Sequence, residues 1–148
     1  RNTEPVRFFH ALDSNVGLMK LIPSTDTSLL DYMAGHFDAL IIESFGVGGL
    51  PSYEKGDYYR AIGHWTGRGK TVIMTTQVTN EGSNMSVYEV GRNIKQEFGL
   101  LEAYDMTLEA TVTKLMWILG QTHEPDMVKE MLYSTVNRDI LYTTKWKA

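Results

Sequence analysis

Residues 44–51 read SFGVGGLP directly after the apolar run DALIIE, a loop with three glycines, no lysine and no acid. A glycine-rich loop behind a strand invites comparison with a phosphate cradle, in which backbone N–H groups approach an anion and a lysine completes the charge. The pattern that chemistry needs, GxGxxG or GxxxxGKS/T, is missing: Gly46, Gly48 and Gly49 are followed by Leu50 and Pro51. The glycines are read instead as a positive-φ exit from the strand that packs closely on a neighbour, with Pro51 opening the next helix. A second polar stretch, TTQVTNEGSNMSVY, carries Gln77, Asn80, Glu81, Asn84 and Tyr88. These can hydrogen-bond a small polar ligand or a partner, and Asn and Gly are equally the usual turn residues. A third stretch, IPSTDT, adds Ser24, Thr25 and Asp26.

Elsewhere the chemistry is thin. His10, His36, His64 and His123 lie too far apart to form a local ligand pair, and there is no cysteine to act as nucleophile or thiolate ligand. Neither a metal nor a cofactor is expected. His64 beside Trp65 reads as a packed helical pair, and Asp105 with Thr107 as the cap of a following helix. No nucleophile, base and orienting group share a recognised spacing.

The elements that must position these loops follow from hydrophobic pattern. VGLMKLI at 16–22, ALIIES at 39–44 and TVIMTT at 71–76 are short, nearly continuous apolar runs, as parallel strands covered on both faces require. STDTSLLDYMAG, with Gly35 as a stop, and SYEKGDYYRAIGHWTGRG, with Tyr58, Ile62 and Trp65 at helical spacing, read as the helices between them. A third helix aligns Val87, Val90, Gly91, Ile94 and Phe98. LEATVTKLMWILG, with Leu108, Val112, Leu115 and Leu119 in register, and EPDMVKEMLYSTV, with Pro125 in its first turn, complete the set. A short fourth strand near LLEAYD is the weakest element.

Such alternation implies a parallel sheet of three or four strands in a three-layer α/β/α, flavodoxin or Rossmann-like domain with right-handed crossovers. The loops after the strands then share the C-terminal sheet edge, where ligands sit at a reversal of strand order.

A chain of 148 residues is one domain's length. A net charge of -4 with scattered Lys and Arg argues against a nucleic-acid face, and no uncharged apolar run approaches the roughly 18 residues of a membrane span. The absence of cysteine fits a reducing cytoplasmic setting. Residues 1–14 have neither an initiator methionine nor a signal-peptide pattern and are read as a linker from an absent N-terminal domain, with 137–148 as a tail that docks on a neighbour or frays.

The succession DALIIESFGVGGLP, GKTVIMTTQ, GSNMSVYEVGRN and DMTLEATVTKLMWILG resembles, in order and spacing, the C-terminal domain of bacterial-type L-asparaginases, type I cytosolic enzymes in particular, and the related D subunit of archaeal Glu-tRNA(Gln) amidotransferase. The resemblance runs from about residue 14 to 134. It implies a hydrolase that converts L-asparagine to L-aspartate and ammonia through a threonine nucleophile and an acyl-enzyme, with no cofactor. The family's TGGT and GTDT motifs, which hold the threonines, are missing here, so the chain alone is expected to be inactive.

The resemblance also implies a dimer or tetramer in which loops of this domain reach a neighbour's active site. The tyrosine of NMxxYxxG corresponds to Tyr88, the hydroxyl expected to approach that neighbour's nucleophile. The asparagine that usually follows GVG is replaced by Gly49, and the cysteine that follows TTQ in enzymes with an allosteric asparagine site is replaced by Val78. That regulatory site is therefore expected to be absent or altered. Gly48, Gly49, Gln77, Val78 and Asn84 form the candidate loop edge. Two alternatives stay open: a free-standing flavodoxin-like module that binds a small ligand, and the tRNA-dependent amidotransferase subunit.

Overall fold

The structure, a computed structural model, describes residues 5–51, 55–87 and 89–141. The element order is β1 (Val16–Lys20), α1 (Ser28–Ala34), β2 (Ala39–Ser44), α2 (Lys55–Thr66), β3 (Thr71–Thr76), α3 (Glu89–Phe98), β4 (Leu101–Glu102), α4 (Leu108–Leu119) and α5 (Pro125–Tyr133), with a 3-10 turn at Met85–Val87 ahead of α3. All four strands are parallel, and they lie side by side in chain order. The expected reversal of strand order does not occur among them. Each crossover moves one strand in the same direction with the same hand, so α1, α2 and α3 must fall on one face. The second face is left to α4 and α5.

Side-chain alternation along the strands divides the interior accordingly. Leu40, Ile42, Val72 and Met74 face the first layer, where Leu30 and Met33 of α1, Tyr58, Ile62 and Trp65 of α2 and Ile94 of α3 close over them. Ala39, Ile41 and Ile73 face the second, against Leu115, Ile118 and Leu119 of α4 and Val128 and Leu132 of α5. Burying an aliphatic side chain of this size contributes about 1.5–3 kcal/mol, so the two layers, rather than loop chemistry, hold the sheet. Trp65 is fully buried and donates its indole N–H to the Leu30 carbonyl at 3.0 Å, which joins α2 to α1 and relieves the one polar atom of that ring.

Several details depart from the pattern in the sequence. β1 closes at Lys20 rather than residue 22, and Leu18 is 45% exposed on the face where its register partner Ile41 is buried. As an edge strand, β1 is covered fully on one side only. Val87 belongs to the 3-10 turn and is exposed, so it does not extend the packed face of α3.

In α4 the buried stripe is Thr111, Lys114, Leu115, Ile118 and Leu119, with Leu108 and Val112 at its margin. A lysine lies in that stripe because Asp139 and the Ser134 carbonyl receive its ammonium, both at 2.7 Å. Those partners belong to the segment after α5, which returns to the domain: Ile140 is buried in the second layer, and the Leu141 amide donates to the Asp105 carboxylate at 2.9 Å. The part of the expected tail up to 141 is thus docked on its own domain, and 142–148 lie outside the described residues. At the other end, residues 9–13 run along α4. Phe9 meets Trp117 edge to face at 5.0 Å, and the Asp13 amide donates to the Met116 carbonyl.

Candidate functional site

The three polar loops do emerge at one sheet edge, because parallel strands present all their C-terminal ends together. Gln77, Ser44 and Thr76 join the loops. Gln77, one residue past β3, donates from Nε2 to the carbonyls of Leu21 (2.6 Å) and Glu43 (3.2 Å), and so ties the ends of β1 and β2 to its own strand. Buried Ser44 donates from Oγ to the Thr75 carbonyl at 2.6 Å. Thr76 donates from Oγ1 to the Gly46 carbonyl and accepts the Val78 amide at 2.9 Å. Val78 is thereby placed beside the glycine loop.

The loop itself is a tight closure. Phe45 and Gly49 exchange two backbone hydrogen bonds, Phe45 N–H to the Gly49 carbonyl at 3.1 Å and Gly49 N–H to the Phe45 carbonyl at 2.7 Å. Gly46 and Gly48 have φ of +50° and +138°. Only glycine takes the second value without strain. A Cβ at Gly48 would lie 3.0–3.1 Å from Met85, and one at Gly91 would lie 2.8 Å from the Met85 carbonyl and 3.4 Å from that of Gly48. The glycines of GVGG and of the segment after NMSV therefore serve the same contact, the GVGG loop lying directly on the 3-10 turn.

That turn is held by three successive backbone donors reaching three different places. Ser83 N–H bonds the Tyr104 carbonyl at 2.8 Å, Asn84 N–H the Val47 carbonyl at 2.5 Å, and Met85 N–H the Glu102 carboxylate at 2.6 Å. The Asn84 side chain, exposed, accepts the Ser86 amide at 3.1 Å and caps the turn. Tyr88, the next position of interest, lies outside the described residues.

Residues of the first loop act locally. Thr25 Oγ1 donates to the Ile22 carbonyl and accepts the Ile22 amide, and Asp26 accepts the Ser28 amide at the start of α1, a bond that holds its carboxyl below the usual carboxylate range. His64 faces Asp31 at 3.5 Å, where Arg60 makes a bidentate pair. Thr107 caps α4 as expected, its hydroxyl accepting the Ala110 amide.

Gly48, Gly49, Val78 and Asn84 are thus brought to one edge, with Gln77 as the brace beneath it. Sequence does not single out Glu102 and Lys95. Glu102 is fully buried at the end of β4, its second oxygen paired with the Lys95 ammonium, which also donates to the Tyr104 hydroxyl at 3.0 Å. The Glu102 amide in turn donates to the Tyr133 hydroxyl, and burial raises that phenol well above the usual tyrosine range. The one signal in the sequence is an acid closing the apolar run GLLE, a position where an unpaired charge would be costly.

The family model of the glutaminase/asparaginase C-terminal domain matches residues 15–132. The L-asparaginase of Thermococcus kodakarensis is 37% identical over 139 residues, 94% of this chain and 41% of that protein. Its solved structure superposes with a TM-score of 0.81 at 34% identity, covering 90% of this chain and 40% of that one. The D subunit of the glutamyl-tRNA(Gln) amidotransferase of Pyrococcus abyssi is 27% identical over 147 residues, 99% of this chain and 32% of the relative. L-asparaginase I of Vibrio cholerae shares the fold, with a TM-score of 0.82 at 22% identity over 95% of this chain and 42% of that one. The chain thus spans between about a third and two-fifths of the relatives it matches. With the four-stranded parallel sheet, the two helical layers and the interlocked GVGG and NMSV segments in place, the chain belongs to the glutaminase/asparaginase C-terminal domain family.

Proposed function

We propose that this chain is the C-terminal, intersubunit domain of an L-asparaginase that converts L-asparagine to L-aspartate and ammonia. The observation that carries the reading is its similarity to the Thermococcus L-asparaginase across nearly the whole chain. In the reaction a threonine oxygen adds to the side-chain amide carbon, the C–N bond breaks with loss of ammonia, and water then cleaves the ester. That threonine belongs to the TGGT or GTDT motifs of another domain, so residues 1–14 link to it and this domain contributes position.

The assignment of roles is supported by the side chains of Gln77, Ser44 and Thr76, which cross-link the strand ends and the glycine loop at this edge. Gly48, Gly49, Gln77, Val78 and Asn84 form the face presented to a neighbouring protomer in a dimer or tetramer, and the Tyr88 hydroxyl approaches the neighbour's nucleophile. With Gly49 and Val78 in place of an amide and a thiol, a regulatory asparagine site on this edge is lost or altered. A cytoplasmic setting agrees with the lack of cysteine.

Full-length protein should release ammonia from asparagine, and Tyr88→Phe should lower turnover about 10- to 100-fold, as loss of a proton-transfer partner does. An unchanged rate would return Tyr88 to a packing role, and no ammonia from the wild type would remove the asparaginase reading. The second reading, the D subunit of a tRNA-dependent amidotransferase, is favoured by the Pyrococcus relative. It requires ammonia release that depends on Glu-tRNA(Gln).

A further inference from the structure

Behind the loop edge lies a buried charged pair that no step above uses. Glu102 is 0% exposed at the end of β4, and Lys95 on α3 is 23% exposed by its side chain. One carboxylate oxygen accepts the Met85 amide at 2.6 Å and the other meets the Lys95 ammonium. The ammonium also bonds the Tyr104 hydroxyl at 3.0 Å and stands 4.9 Å from the centre of that ring. A buried carboxylate is retained only where its lone pairs are matched, and here one of the matches is a backbone N–H in the 3-10 turn.

Tyr104 itself has φ of +51°, held by Ser83, whose amide donates to the Tyr104 carbonyl and whose hydroxyl accepts the Tyr104 amide, both at 2.8 Å. The turn is thus anchored from the sheet side by Glu102, from the β4–α4 connection by Tyr104 and from the GVGG loop by Val47. Of the three anchors only Glu102 is a side-chain acceptor, so it alone can be removed without altering the backbone.

We infer that Glu102 is a positioning residue: its carboxylate, oriented by Lys95, sets the 3-10 turn that holds Asn84 at the loop edge and leads into α3. This rests on the asparaginase reading for its effect on turnover, while the holding of the turn itself does not.

The test uses the full-length protein in two double variants, both without the ion pair. Glu102→Gln with Lys95→Met keeps an acceptor for the Met85 amide, and Glu102→Leu with Lys95→Met does not. Exchange of the Met85 amide should be about tenfold or more faster in the leucine variant than in the glutamine variant. With asparagine as substrate, kcat of the leucine variant should fall about 10- to 100-fold below that of the glutamine variant, with KM changed far less. Equal exchange in the two variants overturns the inference, as does equal kcat in an active enzyme despite different melting temperatures, the outcome of a merely structural pair. If the wild type releases no ammonia, the functional reading falls, and the exchange comparison still decides whether Glu102 holds the turn.

Discussion

Adjacent glycines in SFGVGGLP serve different physical needs, and sequence alone does not separate them. Gly48 has φ of +138° and its hydrogen stands where a Cβ would press on Met85 at 3.0–3.1 Å. Gly49 has no positive φ, and a Cβ there would press on nothing tighter than the Phe45 carbonyl oxygen, at 3.2 Å. Gly48→Ala should therefore cost about 1–3 kcal/mol, from strain in a glycine-only region and from displacement of the turn. Gly49→Ala should cost less than about 1 kcal/mol, within the range of substitutions away from strained positions. Denaturant midpoints of the two variants measure the difference, and equal losses would show that the loop yields as a unit. Gly49 therefore has no backbone requirement of its own, and the asparagine that the resemblance leads one to expect there would differ from it in side-chain chemistry.

At the scale of elements, the described part of the segment after α5 is fastened to α4 through Lys114, which pairs with Asp139 and donates to the Ser134 carbonyl. Burial of Asp139 works to raise its pKa, but the Lys114 ammonium and the amides of Val136 and Ile140 outweigh it, and the carboxyl lies below its ordinary value of 3.8. The folded state thus binds this proton less readily than the unfolded chain. The contribution is complete above that ordinary value and is lost as pH falls below it, through the folded pKa. Asp139→Asn should lower stability by about 1–3 kcal/mol at neutral pH by leaving Lys114 with a weakened set of acceptors. Urea midpoints of the two proteins should converge as pH falls below about 4, and a gap constant with pH would mean that the aspartate acts through packing alone. The same pair explains why apolar periodicity misplaces the α4 stripe. Periodicity selects Leu108 and Val112 and passes over Lys114, whose burial depends on an acid 25 positions later, the interval between residues 114 and 139.

At the scale of the whole molecule, Gln77, Ser44 and Thr76 of the loop edge are bound into joining β1, β2, β3 and the glycine loop, and the TGGT and GTDT motifs are absent from the 148 residues. Covalent catalysis needs a nucleophile and its activating base together. Purified 1–148 should therefore release no ammonia from asparagine above a heat-inactivated control. Release by this chain alone would place a nucleophile within it and overturn the division of labour between domains.

The sequence by itself determined what short-range chemistry can settle. Continuous apolar runs placed β2 at Ala39–Ser44 and β3 at Thr71–Thr76, Pro125 opened α5, and the order of GVGG, TTQ, NMSVYEVG and DMTLEATVTKL pointed to the family. These features are periodic or motif-borne and need no knowledge of distant partners. Tertiary structure alone decided the rest: the strand order without a reversal, the exposed face of β1, and the meeting of Gly48 and Gly91 over Met85. It also paired Glu102 with Lys95 and Lys114 with Asp139. A charge in a buried position is stable only if another element supplies its partner, and that partner is chosen by packing in three dimensions.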